Sequence, residues 1–352
     1  MTALRQFTHH DVERVIGVGS KTAGGVPRRP TSQEKTVTVS TPYKDAPTSM
    51  IDVGGANFAY RQLGASNGVP VIFLNHLGAV LDNWDPRVID GVAARRRVIT
   101  FDNRGVGASE GSTPDSVEAM ARDAVAFIRA LGFAQVDLVG FSLGGMVSQV
   151  IAQEEPQLVR RIVLAGTGSA GGVGIDKVTS LTIRDMVKGA LTFKDPKHYL
   201  FFTRTANGKS AARAFMQRLK ERTDNRDKPI SITAFRAQLK AIHAWGRQKP
   251  SDLTGIRQPV LVANGEADRM VPSSNSVDLA RRLPNAQLTL YKDAGHGGIF
   301  QYHEEFVPRV LEFLESQDAH AEQAPEFSDR VVGARAQRSS RTTAAIGRTP
   351  RS

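Results

Sequence analysis

Short apolar runs alternate with amphipathic segments through the middle of this 352-residue chain. After a Gly-Gly hairpin predicted at 51–64, the runs predict strands at 70–75, 97–101, 135–140, 160–165, 258–263 and 286–291. The clearest helix is predicted at 116–131, where apolar side chains recur at helical spacing behind two candidate capping residues, Asp115 and Glu118. This alternation favours an α/β fold, in which a mostly parallel sheet is covered by helices on both faces.

The stretch Gly140-Phe141-Ser142-Leu143-Gly144 joins one of these strands to a helix. It follows the apolar run 136–139 and opens the helix-like segment 146–153. A turn this sharp needs neighbours that are nearly free of side chain, and it presents the serine hydroxyl at the carboxyl edge of the sheet. Ser142 is therefore a candidate nucleophile.

A serine hydroxyl needs a base within hydrogen-bond reach and a group that holds that base in the right tautomer. Asp268 and His296 each follow a predicted strand farther along the chain. Because the loops at the carboxyl ends of parallel strands line one crevice, these two residues can converge on Ser142. Asp268 has a structural alternative as a helix cap, and Glu266 is the substitute acid in that case.

The chain resembles the alpha/beta-hydrolase family over about residues 50 to 317. The resemblance is carried by GFSLGG at 140–145, GEADRMVP at 265–272, DAGHG at 293–297 and a D-x-R-G-x-G-x-S turn at 102–109. It implies an alpha/beta-hydrolase fold, with the triad in the order serine, acid, histidine. It also implies Ser142 as nucleophile, His296 as general base and then acid, and Asp268 as the carboxylate that orients the imidazole.

Acyl transfer also needs an oxyanion hole of backbone N–H groups. The amide of Leu143, the residue after the nucleophile, is one expected donor. The second is expected in the loop 75–79, where loop length favours Leu77 and His76 is the alternative. Family members commonly carry His-Gly and a bulky residue here, so Asn-His-Leu departs from the pattern. The segment 75–86 is more similar to the loop of 3-oxoadipate enol-lactonases than to that of lipases, which favours small esters or lactones.

The strand and helix alternation breaks between 167 and 250, where helical segments such as 211–222 and 233–245 follow one another. We expect this insertion to form a helical cap over the active site, between core segments at 49–166 and 251–317. The flanking segments lack periodicity and are predicted to be disordered, an N-terminal tail at 1–48 and an Arg-rich C-terminal tail at 318–352.

Two further residues are candidates for the substrate pocket. His76 lies beside the expected oxyanion donor, and its pocket-lining and structural interpretations are equally favoured. Trp245, with His243 nearby, is expected in the cap, either in its core or in the pocket wall. His303 is expected to be a capping or surface residue.

Composition excludes several classes of chemistry. The chain has no cysteine, which rules out disulfides, thiol catalysis and thiolate metal sites, and its eight histidines show no metal-ligand spacing. No stretch approaches 18 consecutive apolar residues and the first 30 residues lack a signal-peptide run, so we expect no membrane span and a cytoplasmic location.

The net charge of +11 is distributed unevenly, since residues 177–249 hold 17 basic and 5 acidic side chains. This basic cap predicts either solvated helix faces or attraction of anionic substrates. Nucleic-acid binding is disfavoured, because no groove-reading motif or aromatic interleaving accompanies the charge.

The sequence thus predicts a serine hydrolase that cleaves a small carboxylic ester or lactone through an acyl-enzyme, without cofactor or metal. The same triad supports acyltransferase, perhydrolase and carbon–carbon bond hydrolase chemistry, and some relatives with an intact triad act as small-molecule receptors. The acyl group, the leaving group and the oligomeric state stay open.

Overall fold

The computed structural model describes residues 41–316, which are built around an eight-stranded sheet. The strands are β1 Ser49–Asp52, β2 Asn57–Leu63, β3 Val71–Leu74, β4 Val98–Phe101, β5 Val136–Phe141, β6 Val159–Ala165, β7 Val260–Gly265 and β8 Ala286–Tyr291. Their order across the sheet is β1-β2-β4-β3-β5-β6-β7-β8. The pairs β1–β2 and β2–β4 are antiparallel, and every other neighbouring pair is parallel. All six strands predicted from the apolar runs are present, within two residues of the expected bounds.

Helices cover both faces of this sheet. They are α1 Pro86–Ala93, α2 Val117–Ala130, α3 Leu143–Glu154, α4 Val178–Thr192, α5 Lys197–Leu200, α6 Ala206–Arg218, α7 Ile232–Arg247, α8 Ser274–Arg282, α9 Gly298–Gln301 and α10 His303–Glu315. Every residue of β3, β4, β5 and β7 is buried. Because successive side chains of a strand point to opposite faces, unbroken burial requires cover on both sides. Helix α2 packs against α3, and α1 packs against α10. The predicted fold class is confirmed.

The N-terminal cap of α2 differs from the expected residues. The hydroxyl of Ser116 accepts a hydrogen bond from the amide of Ala119 at 3.2 Å, so Ser116 is the capping residue. Asp115 instead forms an ion pair with Lys240 of α7. A partner from so distant a segment leaves no local signal in the sequence.

The start of the folded region also differs from the expected boundary at residue 48. Tyr43 is buried, and its hydroxyl donates to the carbonyl of Leu81 at 2.7 Å. Its amide donates to the carboxylate of Asp90 at 2.7 Å, which fixes the segment against α1. One anchoring aromatic residue among polar neighbours creates no periodicity, which is why the sequence pattern missed it. The other residues of the two predicted tails, 1–40 and 318–352, lie outside the described residues.

The predicted insertion between β6 and β7 contains α4, α5, α6 and α7. Some of its basic side chains pair with carboxylates of the sheet domain. Arg218 on α6 contacts Asp85 at 2.6 Å, and Arg222 of the insertion lies 3.7 Å from Asp82. Part of the insertion's positive charge therefore holds it on the sheet domain. Within residues 41–316, no helix combines the length and apolar character needed to cross a bilayer.

Candidate active site

Ser142 occupies a sharp turn between β5 and α3. Its backbone has φ 56° and ψ −115°, a positive φ that residues other than glycine rarely adopt. Both flanking glycines are required by space, because a Cβ on Gly140 would lie 2.4 Å from the carbonyl oxygen of Gly144. A Cβ on Gly144 would lie 2.0 Å from the carbonyl oxygen of Leu74. The turn therefore forces the serine into the strained geometry expected of a nucleophile elbow.

Asp268 and His296 form a buried hydrogen-bonded pair. The Nδ1 atom of His296 lies 2.8 Å from Oδ2 of Asp268. The other carboxylate oxygen, Oδ1, accepts the amides of Met270 at 2.8 Å and Val271 at 3.1 Å, so the acid is fixed in place. Because a carboxylate accepts, Nδ1 carries the proton and Nε2 of His296 presents a lone pair. Glu266, the alternative acid, is exposed to solvent.

The three residues lie beyond the carboxyl ends of the parallel strands β5, β7 and β8. Ser142 and His296 line the same cavity. The ring of His296 packs on Phe141, the residue before the serine, with 5.0 Å between ring centroids. Gly166, at φ 54°, lets the backbone pass beside them, because a Cβ there would lie 3.3 Å from Nδ1 of His296. The serine, the histidine and the acid thus belong to one site.

Three backbone amides at the site have no hydrogen-bond acceptor within residues 41–316. Among residues 41–316, neither the N–H of Leu143 nor that of Leu77 has a hydrogen-bond acceptor. Leu143 begins α3, where the helix dipole also favours negative charge. The amide of His76 is equally without an acceptor in this part of the chain, so the choice of Leu77 over His76 stays a prediction.

The loop that carries Leu77 is held from two sides. Asn75 donates to the carbonyl of Phe101 at 2.9 Å and accepts the indole N–H of Trp84 at 2.5 Å. On the other side, the amide of Gly78 donates to the side-chain oxygen of Gln238 on α7 at 2.8 Å. The insertion therefore contacts the candidate oxyanion loop directly, a role for Gln238 that no sequence pattern indicated.

The cavity has a volume of about 180 Å³ and is covered largely by the insertion. Its apolar wall includes Met186, Leu200, Phe201, Ile230 and Phe235. Polar side chains from the same insertion, Thr182, Asp195 and Lys197, also line it. The sequence analysis did not select these three, because only the packing of α4 and α5 brings them to Ser142.

His76 is one of the residues that line the cavity, as one of its two interpretations expected. Its ring is 3 % exposed, and its Nδ1 atom lies 2.9 Å from the carbonyl oxygen of Leu77. Burial, with a smaller contribution from the positive charge of Lys197, lowers the pKa of His76 to about 3. The ring is therefore neutral at physiological pH.

Trp245, a candidate for the substrate pocket, does not lie in the wall of the cavity. It is not one of the cavity-lining residues, and its buried indole N–H donates to the carbonyl of Gly168 at 3.2 Å. This position matches its alternative interpretation as part of the cap core.

His243 is exposed on α7, and His303 is the partly exposed first residue of α10. Within the described residues, no group of three or more His, Cys, Asp or Glu side chains is arranged to hold a metal ion.

A mostly parallel sheet that presents a serine at a strand-to-helix turn, beside an Asp–His pair in that chain order, defines the class of alpha/beta hydrolases. A family model for the alpha/beta hydrolase fold matches residues 69–301. This chain belongs to the alpha/beta-hydrolase family, which confirms the resemblance seen in its motifs.

Similar proteins extend this result. An alpha/beta hydrolase fold protein from Chitinophaga pinensis is 41% identical with a TM-score of 0.75, over 79% of this chain and 100% of that one. The "Putative carbamate hydrolase RutD" of Caulobacter sp. (strain K31) is 30% identical over 260 residues, 72% of this chain and 94% of its own. The enol-lactonase from Burkholderia xenovorans LB400 has a TM-score of 0.62 at 20% identity, over 76% of this chain and 100% of its own, a likeness of fold alone.

Proposed function

We propose that this chain hydrolyses small carboxylic esters or lactones through an acyl-enzyme intermediate. The observation that carries the proposal is the buried hydrogen bond between His296 and Asp268, at 2.8 Å, beside a cavity that Ser142 also lines. A histidine whose Nδ1 proton is held by a carboxylate is ready to accept a proton at Nε2.

In the proposed mechanism, Ser142 attacks the carbonyl carbon while Nε2 of His296 takes the hydroxyl proton. Asp268 stabilises the imidazolium that forms, and the amides of Leu143 and Leu77 stabilise the oxyanion. His296 then gives the proton to the leaving oxygen. A water molecule, deprotonated by His296, attacks the acyl carbon; the bond to the Ser142 oxygen then breaks, His296 returns the proton to that oxygen, and the acid is released.

The form of the cavity supports a compact substrate. Its volume of about 180 Å³ is below the range of roughly 300–1,000 Å³ that is usual for pockets holding drug-sized ligands. Its largely apolar wall favours an uncharged acyl group. Among the similar proteins, one is named a putative carbamate hydrolase and another an enol-lactonase, and both names denote hydrolysis at a carbonyl carbon.

The test compares the wild type with Ser142→Ala on p-nitrophenyl acetate and on a series of lactones. Removal of the nucleophile is expected to lower kcat by about 10⁴-fold or more. A fluorophosphonate probe should label the wild type and leave Ser142→Ala unlabelled. Ser180→Ala, which changes an exposed serine of the insertion, is the matched control and should behave as the wild type.

Two results would reject the proposal. Turnover that survives in Ser142→Ala would assign the chemistry to another group. A wild-type protein that is strongly stabilised by these ligands in a thermal-shift assay, yet turns none of them over, would indicate a small-molecule receptor instead.

A further inference from the structure

The proposed mechanism makes no use of the His76 side chain, although that imidazole lines the same cavity as Ser142. The ring is held edge-on between two aromatic rings, with centroids 5.3 Å from Phe141 and 5.1 Å from Phe201. A side chain fixed between such neighbours has little freedom to turn away. Its two nitrogen atoms therefore have defined surroundings.

The hydrogen bond at Nδ1 determines which nitrogen carries the proton. Nδ1 lies 2.9 Å from the carbonyl oxygen of Leu77, and a carbonyl oxygen can only accept. Nδ1 is therefore the protonated nitrogen. Because burial keeps the pKa of the ring near 3, Nε2 is unprotonated at neutral pH and can only accept a hydrogen bond.

Nε2 of His76 has no hydrogen-bond partner among residues 41–316, although it is buried. Buried polar atoms in native proteins are almost always paired, and an unpaired acceptor is costly. An unpaired acceptor on a cavity-lining side chain is therefore a position where a donor from a bound molecule would be stabilising.

A second unpaired polar atom belongs to the same cavity. Thr182 of α4 is buried and lines the cavity, and its hydroxyl oxygen also has no hydrogen-bond partner within the described part of the chain. A hydroxyl both donates and accepts, whereas Nε2 of His76 only accepts. A substrate hydroxyl or amide offers a donor of the kind that Nε2 needs, together with an acceptor of the kind that the Thr182 hydroxyl needs.

We propose that the substrate carries an uncharged hydroxyl or amide N–H group in addition to its scissile ester or lactone, and that His76 selects it by accepting its hydrogen bond at Nε2. This inference rests on the proposed hydrolase function. A carboxylate in the same place has no proton to donate and would face the lone pair of Nε2. An anionic substrate would instead pair with the positive charge of Lys197, which also lines the cavity.

The experiment compares matched substrates that differ by one donor. p-Nitrophenyl butyrate is paired with p-nitrophenyl 3-hydroxybutyrate, and γ-butyrolactone is paired with its α-hydroxy and α-acetamido derivatives. The wild type should prefer a donor-bearing member by about 10-fold or more in kcat/KM, since a site built to bond a hydroxyl rejects an analogue that lacks it. The hydroxy and acetamido members distinguish the two donor groups.

His76→Phe keeps the ring and the backbone amide and removes the acceptor. The preference should fall to within about 2-fold, with most of the change in KM, because a ground-state contact is lost. His76→Gln restores an acceptor oxygen and should recover part of the preference. Thr182→Val removes the second unpaired polar atom of the cavity, should also lower the preference, and serves if His76→Phe does not fold.

Equal kcat/KM for both members of every pair in the wild type would overturn the inference, and so would a preference that persists in His76→Phe. A preference for succinate half-esters over all neutral substrates would also overturn it, because it would show that the cavity selects an anionic group. Failure of the proposed function has a different signature, because the wild type would then turn over none of the substrates.

Discussion

The burial of His76 makes the free energy of unfolding depend on pH in a defined direction. The pKa of its ring is about 3 in the folded chain and 6.5 when the ring is solvated. Between these values the unfolded chain binds a proton that the folded chain does not. The contribution of His76 to stability is therefore complete above pH 6.5 and is lost as the pH falls toward 3.

The size of this loss follows from the difference between the two pKa values. Each pH unit within the window costs about 1.36 kcal/mol. Between pH 7.5 and pH 4.5 the pH passes through about two units of this window, so the wild type should lose about 3 kcal/mol of unfolding free energy through this residue alone. His76→Gln has no such group, and the difference in unfolding free energy between it and the wild type should shift by that amount.

Urea denaturation of both proteins at pH 7.5, 6.0 and 4.5 measures this shift directly. Thr182→Val is the control, because it alters a polar side chain of the same cavity without removing a titratable group. Its stability difference from the wild type should not change with pH. Parallel pH dependences for the wild type and His76→Gln would refute the reasoning and remove the basis for a neutral, accepting Nε2.

Substitutions at three further positions test the site. Asp268→Asn should lower kcat by about 10⁴-fold on p-nitrophenyl acetate, because the histidine loses its preferred tautomer, and a loss below tenfold would contradict the acid's assigned role. Gly144→Ala should lower the unfolding free energy by about 1–3 kcal/mol in urea, because its Cβ would lie 2.0 Å from the Leu74 carbonyl oxygen, and unchanged stability would show that the turn can relax. Gln238→Leu leaves the amide of Gly78 without its acceptor and should lower kcat/KM by about 5- to 100-fold. Gln238→Glu keeps an acceptor, so equal losses in both variants would argue against a loop-holding role.

Features that depend on local patterns could be predicted from the sequence. The strands follow from apolar runs, and the turn at Ser142 follows from glycines that its backbone path requires. Asp268 and His296 could be selected because each comes directly after a strand, and parallel strands bring such loops to one edge. Here a short stretch of chain carries enough information to fix the position of a residue in the fold.

Features that depend on distant partners could not be predicted. Asp115 looked like a helix cap, but Lys240 lies 125 positions away and pairs with it. Trp245 could have belonged to the pocket or to the cap core, and only the packing of α7 decides where its indole lies. Thr182 and Gln238 reach the site through the same kind of tertiary packing, which no spacing rule encodes.

The hydrogen bond from Gly78 to Gln238 has a consequence for how such enzymes diversify. The loop around Gly78 belongs to the sheet domain, whereas Gln238 belongs to the insertion. Because the candidate oxyanion loop and the insertion share this hydrogen bond, we expect an insertion transplanted from a relative without an acceptor at position 238 to slow turnover as well as to change selectivity. We therefore expect a chimera to keep its activity only when the loop and the insertion are exchanged together.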